Sequence, residues 1–141
     1  MLEHHWIGKL PDPKNYFGFI YEIENTVNGR KYIGKKQYLF YRLKKVLGKS
    51  RKVRVTIPSK WEFYTGSCKE LNRDIKKLGK DKFRFRILWN CSSKGMLTYM
   101  EVKEQILQDV LIGTIEGTEL PRYYNQAISS NIKFIPRGEV R

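Results

Sequence analysis

A chain of 141 residues with 28 Lys and Arg against 14 Asp and Glu carries a formal charge of +14, a balance that attracts polyanions. The length suits one domain, 40% apolar and 13% aromatic residues exclude a disordered basic tail, and no apolar run nears the roughly 20 residues of a membrane-spanning helix. Two cysteines, Cys68 and Cys91, without CxxC spacing exclude a zinc knuckle or disulfide framework, so the expectation is a folded cytoplasmic domain facing nucleic acid and no membrane.

Residues 1–15, MLEHHWIGKLPDPKN, lack the apolar core of a secretory signal and read as an N-terminal extension. Pro11-Asp12-Pro13 argues against a regular element there, Trp6 is expected to anchor the segment on the domain, and His4 and His5 are expected to be mobile and to ligate nothing. From about Tyr16 to Lys36 the pattern turns to period two. Phe19, Tyr21 and Ile23 alternate with Ile20, Glu22 and Glu24, and Asn28-Gly29 offers the positive φ that folds a strand back. The returning strand carries Tyr32-Ile33-Gly34. Such a hairpin can hold Tyr21 and Tyr32 close together, although taken alone the pair reads more simply as ordinary strand aromatics.

Gln37 to Leu47 places Leu39, Leu43 and Val46 at helical spacing with Arg42, Lys44 and Lys45 between them, predicting a short helix that ends near Gly48. The block Gly48 to Lys60 holds Lys49, Arg51, Lys52, Arg54 and Lys60, alternating Val53, Val55 and Ile57, and no acidic residue, predicting a basic loop or ribbon that meets phosphates. Ser67 and Glu70 have the form of a capping box, opening a helix with Leu71, Ile75 and Leu78 on one face until Gly79. Phe83, Phe85 and Ile87 alternate with Arg84, Arg86 and Leu88 in a third strand to about Asn90. Ser92 or Ser93 caps a last helix, 93–112, with Leu97, Met100, Leu107 and Leu111 as its apolar stripe and Glu101 and Glu104 at its centre. After a loop at 113–121, Tyr123-Tyr124-Asn125 leads into a tail, 127–141, with Pro136 and Gly138. The expected fold is a single α+β domain with its core at 16–126, a small central antiparallel sheet of three strands flanked by helices, with a basic ribbon as a further element.

Taken together, the order of these pieces is specific. Phe19-Ile20-Tyr21, ten intervening residues, Tyr32-Ile33-Gly34, Arg42 eight residues after that glycine, Leu71 to Gly79 with Phe83, a glutamate helix around Tyr99-Met100-Glu101, and Tyr124-Asn125 resemble the GIY-YIG nuclease family. Phe19 stands where the family usually has glycine. Trp61, Tyr64, Gly66 and Ser67 bring the resemblance nearest to small phage-type members, Seg-like and homing-type.

The resemblance implies the GIY-YIG nuclease fold and a DNA endonuclease that depends on Mg²⁺ or Mn²⁺. Cutting a phosphodiester needs an activated water, stabilised phosphoryl charge and help for the leaving oxygen. It implies Tyr21 as the general base, its phenol made acidic by Lys35 and Arg42, with Tyr32 orienting water or a phosphate oxygen. Arg42 would clamp the scissile phosphate, Glu101 would hold the metal with Glu104 as the alternative, and Asn125 would close the site. Val46 stands where many members carry His or Tyr, leaving that auxiliary role absent or to Tyr38, Tyr41 or Tyr64. Lys36, Lys44, Lys45, Lys49, Arg51, Lys52, Arg54 and Lys60 are the expected contacts to double-stranded DNA, branched forms included. A double-strand cut by one active site requires a dimer or successive nicks. The competing readings are a non-catalytic nucleic-acid-binding domain on the same scaffold and a basic structural protein.

Overall fold

The structure is a computed structural model that describes residues 3–128, so the predicted tail lies outside the described residues from 129 on, Pro136 and Gly138 included. The hairpin forms as its alternation requires. β2 (Gly18–Asn25) pairs antiparallel with β3 (Lys31–Gln37), and Tyr21 sits opposite Gly34. Gly29 supplies the positive φ, 82°, in a turn that Asn25 closes by donating its N–H to the Arg30 carbonyl and accepting from Gly29 N–H, both at 2.8 Å.

Both faces of this hairpin are covered, which makes the sheet the middle of three layers. On one face Phe19, Tyr21 and Ile23 pack with Trp6, Phe85, Ile87 and Leu71 of α1 (Lys69–Leu78). On the other, Ile20 and Ile33 pack with Cys91, Val110, Tyr123 and Leu97 of α2 (Lys94–Leu107). β6 (Phe83–Cys91) lies against β2 and carries a bulge, because Ile20 pairs with Trp89 whereas Tyr21 pairs with Ile87. The extra residue, Leu88, reverses the parity of the strand. Phe83, Phe85 and Ile87 therefore serve the first core and Cys91 the second.

Two expectations about the sheet are corrected. Among the described residues it has four strands, β1 (Trp6–Gly8) adding to its edge to give the order β1-β6-β2-β3; Pro11-Asp12-Pro13 lies beyond that strand and does not prevent it. The sheet is mixed, since β1 runs parallel to β6 with Trp6 opposite Phe85. Trp6 anchors the N-terminal segment as expected, buried and donating its indole N–H to the Trp61 carbonyl at 2.8 Å, whereas His5, expected to be mobile, stacks its ring on Phe85 at 3.8 Å.

The helix expected at 37–47 is a strand, β4 (Leu39–Lys44), which pairs antiparallel with β5 (Val53–Pro58) in a separate two-stranded ribbon. Its helical stripe, Leu39, Leu43 and Val46, has no surface to cover, while the aromatic residues Phe40 and Tyr41 and the valines opposite suit a cross-strand pair. The Ser59 hydroxyl, 2.6 Å from Gln37 O and 2.8 Å from Tyr38 O, pins the base of the ribbon to the end of β3.

α1 runs as predicted and stops at Gly79, with φ 100°. The capping box does not form: the helix starts one residue later, with Cys68 at its N-cap position and no side-chain cap, and Glu70 pairs instead with buried Arg30 at 3.0 Å. Asn72 ties the preceding turn to the helix, its amide donating to the carbonyls of Gly66 and Cys68 at 3.0 Å each. α2 opens on Ser93, whose hydroxyl accepts from Met96 N–H at 3.1 Å, but it ends at Leu107, short of the predicted 112. The chain then turns through Asp109 in the left-handed region, which sends Val110 inward and leaves Leu107 and Leu111 exposed. The segment 121–125 returns along the free edge of β3, with Tyr124 N–H donating to Lys31 O at 2.7 Å. Among the described residues no helix is long and apolar enough to cross a membrane.

Candidate active site

Between β3, α1, α2 and the returning segment lies a cavity of about 1010 Å³. β3 contributes Tyr32, α1 contributes Lys69, Glu70 and Arg73, α2 contributes Glu101 and Gln105, and the return contributes Tyr124 and Asn125. Ser67, released from the capping role, also faces this space.

Glu101 is largely buried, its side chain 13% exposed, and Lys35 Nζ approaches its carboxylate at 3.9 Å while donating to Thr98 Oγ1 at 3.2 Å. Burial pushes the Glu101 carboxyl up, and the Lys35 charge opposes that rise. Glu104, one turn on, lies outside the cavity and accepts the Trp89 indole N–H at 2.8 Å. Gln105, four residues after Glu101 and so on the same helix face, donates its amide to Ile33 O at 3.0 Å; its Oε1 is buried and, among the described residues, has no hydrogen-bond partner.

The two tyrosines of the hairpin differ. Tyr32 is partly exposed and lines the cavity; burial raises its phenol, and Ser67, whose side chain approaches the hydroxyl, pulls the other way. Tyr21 is 2% exposed, with its ring centroid 6.2 Å from that of Tyr32. Burial first, then the neighbouring Tyr32, Tyr64, Glu101 and Cys68, hold its phenol well above the ordinary value. The expected depression by Lys35 and Arg42 is therefore reversed, because the hydroxyl sits in the core among groups that would carry negative charge. Two glycines make room for it: a Cβ on Gly34 would stand 2.5 Å from the Tyr21 hydroxyl, and one on Gly66 would stand 3.2 Å from it.

Asn125 reaches the cavity but its side chain is engaged, accepting from Ile33 N–H at 3.0 Å and donating to Ile33 O at 2.8 Å. It pairs with β3 as a neighbouring strand would. Arg42 is on the exposed ribbon and does not line the cavity. Of the expected DNA contacts, Lys36 lies over the Tyr64 ring at 4.0 Å, and burial lowers its affinity for the proton. Lys44 ends β4, Lys45, Lys49, Arg51 and Lys52 occupy the tip between β4 and β5, and Arg54 stacks over Tyr41 at 4.0 Å. Lys60 follows the ribbon in a left-handed conformation, φ 59°.

Arg73 and Gln105 line the cavity and were passed over in the sequence. Lys69 and Arg73 recur at helical spacing opposite Leu71, which in isolation is the signature of an ordinary solvated face. Arg73 is exposed, and among the described residues it makes no ion pair or hydrogen bond. The described residues contain no cluster of three or more His, Cys, Asp or Glu side chains able to hold a metal unaided.

Compared with known families, residues 4–128 match the model described as "Putative endonuclease segE, GIY-YIG domain". Comparisons with curated proteins and with solved structures returned no match.

Proposed function

The chain belongs to the SegE-type GIY-YIG endonuclease family, and from that premise we propose that it is a metal-dependent DNA endonuclease whose reaction takes place in the cavity between Tyr32, Glu101 and Arg73. The observation that carries this reading is their convergence: a phenol from β3, a carboxylate from α2 and a guanidinium from α1 that is unpaired among the described residues line one space large enough for a phosphodiester.

The donors fit a hard divalent cation. Glu101 offers a carboxylate one helical turn from Gln105 Oε1, which is unpartnered among the described residues, and oxygen donors of this kind suit Mg²⁺ or Mn²⁺, with phosphate oxygens and waters completing the set. When bound, the ion would supply positive charge to the developing charge on the leaving 3′ oxygen. Arg73 would take the non-bridging phosphate oxygens in its planar fork. Tyr32, facing the cavity beside Ser67, would orient the attacking water and, once ionised, receive its proton as the phenolate becomes a phenol, while Tyr21 remains protonated behind it and sets its position. Lys35 would hold the Glu101 carboxylate in place through its contact at 3.9 Å. Asn125 would act by position, keeping the edge of β3 and hence Tyr32 aligned.

Digestion of supercoiled plasmid and of flap and junction DNA with Mg²⁺, Mn²⁺ or EDTA tests the proposal. Nicking that needs the metal and is lost in Glu101→Gln is expected; undiminished cutting by that variant or in EDTA would refute the site. A wild-type protein that binds these substrates and cuts none would favour a non-catalytic nucleic-acid-binding domain.

A further inference from the structure

The β4–β5 ribbon has two faces of unlike character. Residues directly opposite in an antiparallel pair share a face, so Phe40, Arg42 and Lys44 lie with Ile57, Val55 and Val53, whereas Tyr41 and Leu43 lie with Thr56 and Arg54. The first face is continuous with the cavity. Lys36 Nζ stands 4.8 Å from the Phe40 ring centroid and 4.0 Å from that of Tyr64, Lys35 and Lys36 line one crevice with both rings, and Lys35 goes on to Glu101 at 3.9 Å. On the second face the cation is spent locally, with the Arg54 guanidinium stacked over Tyr41.

The ribbon also lacks what would stabilise it alone. It belongs to a separate two-stranded sheet, leaves Phe40, Tyr41 and Leu43 exposed, and such a pair is marginal in water without a surface against it. No Asp or Glu occurs between Glu24 and Glu62, so nothing within this stretch neutralises its cations. Charge complementarity therefore names a polyanion as the missing surface.

We propose that the face carrying Phe40, Arg42 and Lys44 docks the duplex DNA that flanks the cleavage point, the ribbon lying in the major groove while Lys36 and Lys35 lead one strand to the cavity. The inference rests on the nuclease reading for the identity of its partner. A two-stranded ribbon fits a major groove about 12 Å wide. Six residues at about 3.3 Å each reach about 20 Å, or roughly six base pairs at 3.4 Å, beyond the scissile phosphate. On this geometry Arg42 is a flank contact, removed from the reacting phosphate.

The test compares matched charge reversals on the two faces. Arg42→Glu and Arg54→Glu each change one exposed ribbon arginine, and binding to a short fluorescent duplex is followed in EDTA over a range of salt, where cleavage does not intervene. Arg42→Glu is expected to weaken binding by roughly tenfold or more and to flatten the dependence of log K on log salt by about one unit, with Lys44→Glu repeating the effect and Arg54→Glu staying within about twofold of the wild type. Thermal melting should be alike in all of them, because none of these side chains enters either core. Equal losses from both faces would overturn the assignment in favour of diffuse charge, and no loss from either would overturn docking by the ribbon. Binding that follows the prediction in a protein that cuts no DNA would uphold the surface and refute the nuclease, so the two failures are distinguishable.

Discussion

Asn125 pairs with the main chain of Ile33 as if it were a further strand, accepting the Ile33 N–H at 3.0 Å and donating to its carbonyl at 2.8 Å, across 92 residues of sequence. Ile33 follows Tyr32, so this one amide ties the returning segment to the strand that carries the cavity's phenol. Removing it leaves the Ile33 N–H without its partner, whereas the carbonyl keeps Gln105. Asn125→Ala is accordingly expected to cost about 1–3 kcal/mol, lowering the melting temperature by several degrees, and to slow cleavage through a misplaced Tyr32. A variant that melts like the wild type would show that the edge holds without this pair.

The glycine of Tyr32-Ile33-Gly34 makes room for a neighbour across the hairpin. A methyl group on Gly34 would lie 2.5 Å from the Tyr21 hydroxyl and 2.7 Å from Cζ, so the buried ring must move. Gly34→Ala should fold with a loss of about 1–3 kcal/mol and should cleave at least tenfold more slowly. Tyr21→Phe, which keeps the ring, should stay within about 1 kcal/mol of the wild type. It should also lower the cleavage rate less than Tyr32→Phe does. The opposite order of the two Phe variants in single-turnover assays would return the role of base to Tyr21.

Two arginines are assigned different tasks, and kinetics can separate them. Arg73→Ala is expected to lower the single-turnover rate at saturating DNA by about 10²–10³, with unchanged melting because the side chain is exposed. Arg42→Ala should raise the DNA concentration needed for half-maximal rate and leave the saturated rate near that of the wild type. A rate loss confined to Arg42→Ala would place the phosphate clamp on the ribbon.

His5 makes the fold sensitive to acid. Burial, with the Lys80 charge beside it, lowers its pKa from 6.5 to about 3 in the folded protein. Below pH 6.5 the unfolded chain takes up the proton and the folded one does not. The stability is therefore complete above about pH 6.5 and is lost as pH falls toward about 3. Thermal melting between those limits should decline in the wild type and decline less in His5→Phe, which retains a ring to stack on Phe85. Parallel curves would show that His5 is protonated without penalty.

Local chemistry was enough to read the β2–β3 hairpin, β6, α1 and the start of α2, because alternation, a positive-φ glycine and a serine cap act within a few residues of one another. The order of motifs that resembles the nuclease family brought forward Tyr32, Glu101 and Asn125, which share the cavity, and composition the uncompensated positive charge of the ribbon. Other features were decided between distant segments. Leu39, Leu43 and Val46 carry a helical period, yet the strand wins because Val53, Val55 and Ile57 come alongside and no core surface meets a helix there. Trp6 finds its place only when β6 offers a free edge, and Leu88 reverses the faces of that strand through a bulge that no alternation announces. Arg73 resembles any solvated helix residue until α1 packs across the sheet edge from α2 and sets it opposite Glu101. The direction of the Tyr21 phenol is likewise tertiary, since desolvation depends on what the fold buries and not on which cations lie nearby in the chain. The sequence by itself determined which segments pair locally and what charge the surface presents; only the tertiary structure decided which side chains meet, because that depends on contacts tens of residues apart.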